Sequence, residues 1–180
     1  MKRKYKCVFL DRDGVINKKA LEGDYIKNWN EFKFLPGVKE AIKRLKENGF
    51  LIIIVTNQRC ISKGIITKKG LEEIHEKMVK EIRNFGGDID AIYFCPHDIT
   101  DNCDCRKPKP GMFLNAIKDF KSRGIEIDLE KSYMIGDSED DIIAGRALKL
   151  KTIKIGEFSK NTDIIKENLL EAVKEIISND

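Results

Sequence analysis

The residues best equipped for chemistry stand at the ends of apolar runs. In CVFLDRDGVIN, residues 7–17, Asp11 and Asp13 lie two positions apart with Gly14 behind them. Asp and Gly are common in turns, but an unpaired carboxylate beside a buried strand is costly. A hard cation such as Mg2+ removes that cost, taking oxygens from one or two carboxylates plus a phosphate. In an extended chain the two side chains point the same way. VTNQ ends a second apolar run on Thr56 and Asn57, whose hydroxyl and neighbouring N–H groups suit a phosphoryl oxygen. Arg106 and Lys107 are confined between a cysteine and a proline, and MIGDSEDD adds Asp137. Asp140 and Asp141 also suit a helix start, where carboxylates meet the helix dipole. Asp137 is therefore taken as the metal ligand and Asp141 as its support. A carboxylate nucleophile, a second carboxylate for proton transfer, a cation, a hydroxyl and a lysine together specify phosphoryl transfer.

A second cluster, CPHDITDNCDC, holds three of the five cysteines and one of the two histidines. Cys95, His97, Cys103 and Cys105 make a Cys3His set, which closes a tetrahedral structural zinc site. The C-x-H…C-x-C spacing is tighter than that of common zinc fingers, so the expectation is a stapled loop over about residues 95–107 and not a nucleic-acid reader. Cys7 and Cys60 read as small buried thiols, and His75 as a solvated or packed helix residue.

These residues need elements to position them. KCVFLD, FLIIIVT, IDAIYF, SYMIG and KTIKI read as strands, the continuously apolar ones suited to burial on both faces of a sheet. PGVKEAIKRLKENG, residues 67–85, GMFLNAIKDFKSRG, SEDDIIAGRALKL and residues 163–177 carry helical spacing. Alternation of strand and helix predicts an α/β fold, a doubly wound three-layer α/β/α arrangement with a mostly parallel sheet. Ligands gather beyond the carboxyl ends of such strands, which is where every polar cluster falls.

With 180 residues, and no repeat or linker stretch, the expectation is a single domain over residues 1–180. A net charge of +4 is too small to indicate nucleic acid. The opening MKRKYK resembles the charged end of a leader, but the apolar stretch after it is too short. No run approaches the about 20 apolar residues of a membrane span. A reducing, cytoplasmic setting follows from the cysteine pattern.

In this order, FLDRDGVIN, VTNQ, RKPKPG and IGDSEDD resemble the four motifs of the haloacid dehalogenase superfamily of phosphatases, over residues 7–155. The C-x-H…C-x-C loop and CRKPKPGM look like the branch acting on heptose bisphosphate and histidinol phosphate, with DRDGVIN and FKFLPGV nearer the heptose side. The resemblance implies that Asp11 attacks phosphorus and Asp13 moves protons. It implies Mg2+ on the Asp11 side chain, the Asp13 carbonyl and Asp137, with Thr56 and Lys107 on the phosphoryl group. Asp24, Tyr25, Asn57, Gln58, Arg59, Arg106 and Ser138 would face substrate, and Cys95, His97, Cys103 and Cys105 would hold structural Zn2+. Connections after Gly14 and Gln58 leave no room for a large cap domain, so residues 18–29 and the zinc loop must shape the pocket. The expected partner is a small phosphorylated sugar met by a monomer, with no membrane and no nucleic acid. Ser138 stands where such enzymes often carry a basic residue, and Arg59 is the expected replacement for that charge. Histidinol phosphate and a polynucleotide 3′-phosphate are the competing substrates. A zinc-stabilised binding module is the non-enzymatic alternative.

Overall fold

A computed structural model describes residues 4–179, so the opening MKRKYK is seen only from Lys4. In chain order the elements are β1 (Lys4–Tyr5), β2 (Cys7–Leu10), α1 (Val38–Glu47), β3 (Leu51–Asn57), α2 (Lys68–Asn84) and β4 (Ala91–Cys95). They continue with α3 (Gly111–Ser122), β5 (Glu126–Ile127), β6 (Tyr133–Gly136), α4 (Glu139–Ala147), β7 (Lys151–Ile155), β8 (Ile164–Lys166) and α5 (Leu169–Ser178).

Six strands form one sheet in the order β4-β3-β2-β6-β7-β8. Every pairing in it is parallel. Side chains of a strand alternate between faces, and the core divides accordingly. Val8, Leu10, Ile52, Ile54, Ile135 and Ile153 meet the apolar faces of α1, α2 and α5. Cys7, Phe9, Ile53, Val55 and Met134 meet Met112, Phe113 and Ala116 of α3 and Ala144 of α4. Helices on both faces account for the continuously apolar strands and make the fold a doubly wound α/β/α sandwich. Among the described residues no helix is long and apolar enough to cross a membrane.

The topology decides where a ligand can sit. From β2 the chain moves outward through β3 to β4, then returns to β6 on the other side of β2 and moves outward again. The connections leaving β2 and β6 therefore diverge, and a crevice opens at the carboxyl ends of β2, β3 and β6. Leu10 is in register with Ile54 on one side and Ile135 on the other. Asp11, Thr56 and Asp137 follow within two residues of that level, on three neighbouring strand ends.

Two expectations change. The helix expected over residues 163–177 begins only at Leu169, and residues 164–166 pair with β7 as an added edge strand. The Asp163 carboxylate accepts from the Thr152 amide at 2.7 Å and from its hydroxyl at 2.8 Å, drawing the chain into the sheet. Asn168 then caps α5 by accepting from the Glu171 amide. A short apolar run fits either period, so spacing alone could not separate the two. The two-residue ladder between β1 and β5 was likewise not anticipated.

Phe9 and Phe113 are fully buried, with ring centroids 5.0 Å apart between the sheet and α3. Phe113→Ala should lower stability by about 3–5 kcal/mol, read from urea unfolding. A loss under about 1 kcal/mol would mean that this face of the core repacks freely.

Candidate active site

The crevice is a cleft of about 170 Å3 whose lining includes Asp11, Asp13, Thr56, Lys107, Asp137 and Asp141. With water occupying roughly 30 Å3 in the liquid, that space suits a phosphoryl group and a cation. The rest of an ester must lie outside, against the surrounding loops. A larger concavity of about 610 Å3 lies between α2 and β4, floored by Val79, Ile92 and Phe94. None of the metal-competent carboxylates lines it, so the chemistry belongs to the smaller cleft.

Asp11 continues β2, its amide bonded to the Ile135 carbonyl at 3.0 Å. Asp137 continues β6, and Asp141 lies in the first turn of α4. Gly136 brings the last two together: a Cβ there would run into the Asp141 side chain. Ser138 caps α4 by accepting from the Asp141 amide, and its hydroxyl donates to Asp141 Oδ2 at 2.6 Å. One carboxylate oxygen from each of Asp11, Asp137 and Asp141 falls within 4.8 Å of the others.

Lys107 enters this group from the far side. Its side chain is 2% exposed, and the ammonium lies 2.9 Å from Asp11 Oδ1, 2.5 Å from Asp141 Oδ1 and 2.7 Å from the Val55 carbonyl. Burial works against its charge, but Asp11 and Asp141 outweigh burial and hold its pKa up. Asn57 fixes the backbone that delivers it, accepting from the Lys107 amide and donating to the Lys107 carbonyl, each at 3.1 Å. The peptide bond from Lys107 to Pro108 is cis.

Lys107, even with Lys19 on Asp137, does not balance three carboxylates. Burial pushes Asp11 up to about 7, with Lys107 opposing it and Asp141 and Asp13 adding to it. Burial also raises Asp137, against the pull of Lys19 on its other oxygen. Asp137 Oδ1 is buried with no hydrogen-bond partner. An orphaned carboxylate oxygen within a three-carboxylate cradle fits a hard, oxygen-ligated divalent cation.

Asp13 is held apart from that cradle. Arg12, itself 1% exposed, donates from Nη2 to both Asp13 oxygens at 2.9 and 3.0 Å. Asn17 and Gln58 donate from their side-chain amides at 2.9 Å each. Burial would raise Asp13, but Arg12 and these hydrogen bonds outweigh it and hold the carboxyl below its ordinary range. His75 Nε2 lies 3.1 Å from Arg12 Nη1. Burial and the guanidinium push its pKa down to about 3, so the neutral ring accepts from Arg12. Gln58 also donates to Thr56 Oγ1 at 2.9 Å and accepts from the Cys60 thiol at 3.6 Å. Arg12 and Asn17 are contributors that motif spacing did not single out. An arginine between two site aspartates was the available signal.

The cysteine cluster forms a second centre. Cys105 Sγ lies 3.1 Å from Cys95 Sγ, 3.5 Å from Cys103 Sγ and 3.2 Å from His97 Nδ1. Cys95 Sγ lies 3.5 Å from Cys103 Sγ and 3.6 Å from His97 Nδ1. Ligands about 2.3 Å from a tetrahedral zinc sit roughly 3.5–3.8 Å from one another, so the set converges on a volume of that size.

The remaining expected residues lie at the rim. Arg106 is half-buried and approaches the His97 carbonyl at 3.5 Å. Arg59 is drawn to Asp98 at 3.3 Å, which removes it as a free replacement for a charge at Ser138. Asp24 is exposed and paired with Lys27 at 2.8 Å, and the Tyr25 ring lies under the Lys63 ammonium at 5.4 Å. Neither Asp24 nor Tyr25 lines the cleft. Lys19 does, and it is ion-paired with Asp137. Nothing in a lysine-rich loop marked it out.

The raised Asp11 has a consequence for stability. An acid with folded pKa near 7 and ordinary value 3.8 binds its proton more tightly when folded. Its contribution is then lost as pH rises between those values. The melting temperature of Mg2+-free protein should fall across that window. Asp11→Asn should flatten the fall, and Mg2+ at pH 8 should reverse it in the unsubstituted protein. A melting temperature indifferent to Mg2+ would contradict the cradle.

Comparison with known proteins agrees on one lineage. A model of the family described as polynucleotide kinase 3 phosphatase matches residues 6–168. A D-glycero-beta-D-manno-heptose-1,7-bisphosphate 7-phosphatase of Pasteurella multocida is 39% identical over 152 residues, covering 81% of this chain and 78% of that protein. The protein of the same name from Haemophilus ducreyi is 36% identical, covering 93% and 96%. The crystal structure of D,D-heptose 1,7-bisphosphate phosphatase from B. bronchiseptica, complexed with magnesium and phosphate, superposes with a TM-score of 0.87 at 29% identity, covering 97% of this chain and 99% of that one. The strand-end carboxylates, the buried lysine and these relatives converge: the chain belongs to the heptose-bisphosphate phosphatase family of the haloacid dehalogenase superfamily.

Proposed function

We propose that this protein is a cytoplasmic, monomeric, single-domain Mg2+-dependent phosphatase that releases the C7 phosphate of D-glycero-D-manno-heptose 1,7-bisphosphate, with a structural zinc in the loop carrying Lys107. The observation that carries the reading is the cradle of Asp11, Asp137 and Asp141 around Lys107, with Asp13 held separately. The substrate assignment is supported by relatives of that name at 36–39% identity.

In the first half-reaction an Asp11 carboxylate oxygen forms a bond to phosphorus while the bond from phosphorus to the sugar oxygen breaks. The departing oxygen takes a proton from Asp13. In the second, Asp13 takes a proton from water as the water oxygen attacks phosphorus, and the Asp11–phosphorus bond breaks to free phosphate. Arg12, Asn17 and Gln58 aim the Asp13 carboxyl for both transfers. An incoming phosphate dianion raises the proton affinity of Asp13, offsetting Arg12 for the first transfer. Thr56 and the Lys107 ammonium face the phosphoryl oxygens. A Mg2+ held by Asp11, Asp137 and Asp141, with the Asp13 carbonyl, would keep Asp11 ionised and neutralise phosphoryl charge.

The zinc reading follows from geometry and from the chemistry of the donors. A Cys3His set closes the coordination sphere, and the resulting knot ends two residues before Lys107. The small cleft limits entry to a phosphoryl head, so residues 18–29 and Arg106 select what lies behind it.

Comparison of kcat/KM for heptose 1,7-bisphosphate, histidinol phosphate and a 3′-phosphorylated oligonucleotide tests the substrate. The bisphosphate should lead by at least about a hundredfold, and Asp11→Asn should abolish phosphate release from it. Preference for the oligonucleotide would instead favour the activity in the matched family's description. Metal analysis should return about one zinc per chain. Zinc-free protein that is folded and active would refute the structural zinc.

A further inference from the structure

The cleft holds one charged side chain that the reaction above leaves without a task. Among the described residues lining it the cations are Lys107 and Lys19. Lys107 is held between Asp11 and Asp141 and already has its task at the phosphoryl group. Lys19 is about half exposed and rests on Asp137 Oδ2, the carboxylate whose other oxygen is orphaned.

The placement is built by the chain around it. Asn17 Nδ2 donates to the Lys18 carbonyl at 3.0 Å and the Lys18 amide donates to the Lys33 carbonyl at 2.8 Å, fixing the backbone beside Lys19. Gly14, at φ +89°, leaves the room the lysine stem needs: a Cβ there would sit 2.9 Å from Lys19 Cε and collide with the Asp137 carboxylate. The ammonium thus reaches the metal-competent face of the cleft over the β2 tip.

We propose that Lys19 is a tethered stand-in cation: it neutralises Asp137 while the cradle lacks a divalent ion, and turns to the phosphate ester once that ion takes the carboxylate. This rests on the phosphatase reading above. An ammonium and a divalent cation on one carboxylate repel each other, so binding of the ion weakens the hold on Lys19. Two other groups near the rim are committed, since the Ser138 hydroxyl donates to Asp141 and Arg59 is paired with Asp98, and Arg106 does not line the cleft. The phosphate dianion is then the strongest anion within reach of the freed ammonium. Lys19 is in this account a specificity residue contributed by the 18–29 loop.

The test compares the zinc-loaded wild type with Lys19→Met and Lys19→Arg, each checked by melting curve. Mg2+ is first titrated calorimetrically without substrate. Removing an internal competitor should tighten Mg2+ binding by about three- to tenfold in Lys19→Met, with Lys19→Arg close to wild type. Steady-state kinetics on the bisphosphate at saturating Mg2+ should then give Lys19→Met a KM about tenfold higher with kcat within about threefold, the loss of one charge-assisted contact. Mg2+ affinity equal to or weaker than wild type in Lys19→Met overturns the proposal, and so does an unchanged KM. Wild type that binds Mg2+ but does not hydrolyse the bisphosphate refutes the substrate reading, while the titration still decides the exchange at Asp137. Wild type that binds no Mg2+ refutes both.

Discussion

Three largely buried carboxylates meet at the ends of two parallel strands and the start of a helix, and the ammonium groups of Lys107 and Lys19 balance only part of their charge. Much else in the molecule serves this arrangement. The sheet must be parallel and covered on both faces so that its carboxyl ends open into one crevice. Gly136 must lack a side chain so that Asp137 and Asp141 can approach. Asn57 must grip the Lys107 backbone from both sides so that the ammonium is delivered between Asp11 and Asp141. Burial, with the neighbouring carboxylates adding to it, raises Asp11, and the negative charge left over gives the site its appetite for a divalent cation.

Asp11 and Asp13 show how neighbouring residues of one kind come to do different work. Asp11 is buried beside other carboxylates and is destabilised as an anion, which a metal ion can relieve. Asp13 faces a guanidinium and two amide donors, and holds its charge. The difference lies in partners from separate parts of the chain: Lys107 for the first, Arg12, Asn17 and Gln58 for the second. Behind Arg12, the neutral His75 ring joins α2 to the group around Asp13. Cys60 joins in by turning the Gln58 amide toward Asp13 and Thr56. The cysteine–histidine set ends at Cys105, two residues before Lys107.

Much of this was legible in the chain because burial on both faces makes a strand continuously apolar, so a polar residue at its tip stands out. Asp11, Thr56 and Asp137 were visible for that reason, and the soft-ligand cluster because cysteine and histidine are scarce. Lys19 was not: in a charged loop without periodicity one lysine looks like the next, and its role depends on where Gly14 lets it pass. Asp141 read equally well as a helix-start acid, and it is also that, since Ser138 and Asp141 cap α4 reciprocally. Asn57 and Gln58 read as substrate-facing; Asn57 does line the cleft while its amide grips the Lys107 backbone, and the Gln58 amide is taken up by Asp13 and Thr56. The edge strand at residues 164–166 was hidden because its pairing depends on an aspartate–threonine contact that no local pattern encodes.

The central claim is that Asp11 carries the phosphoryl group between two displacements while Asp13 moves the protons. Acid quenching of an Asp13→Asn variant shortly after mixing with Mg2+ and an aryl phosphate, whose phenolate departs without the proton that Asp13 supplies to a sugar oxygen, followed by peptide mass spectrometry, addresses it directly. Slow water activation in that variant should leave one added phosphoryl group on the peptide containing Asp11, absent in Asp11→Asn. Phosphate release by the unsubstituted enzyme with no phosphorylated Asp11 peptide at any quench time, or the phosphoryl group on another residue, would contradict the account.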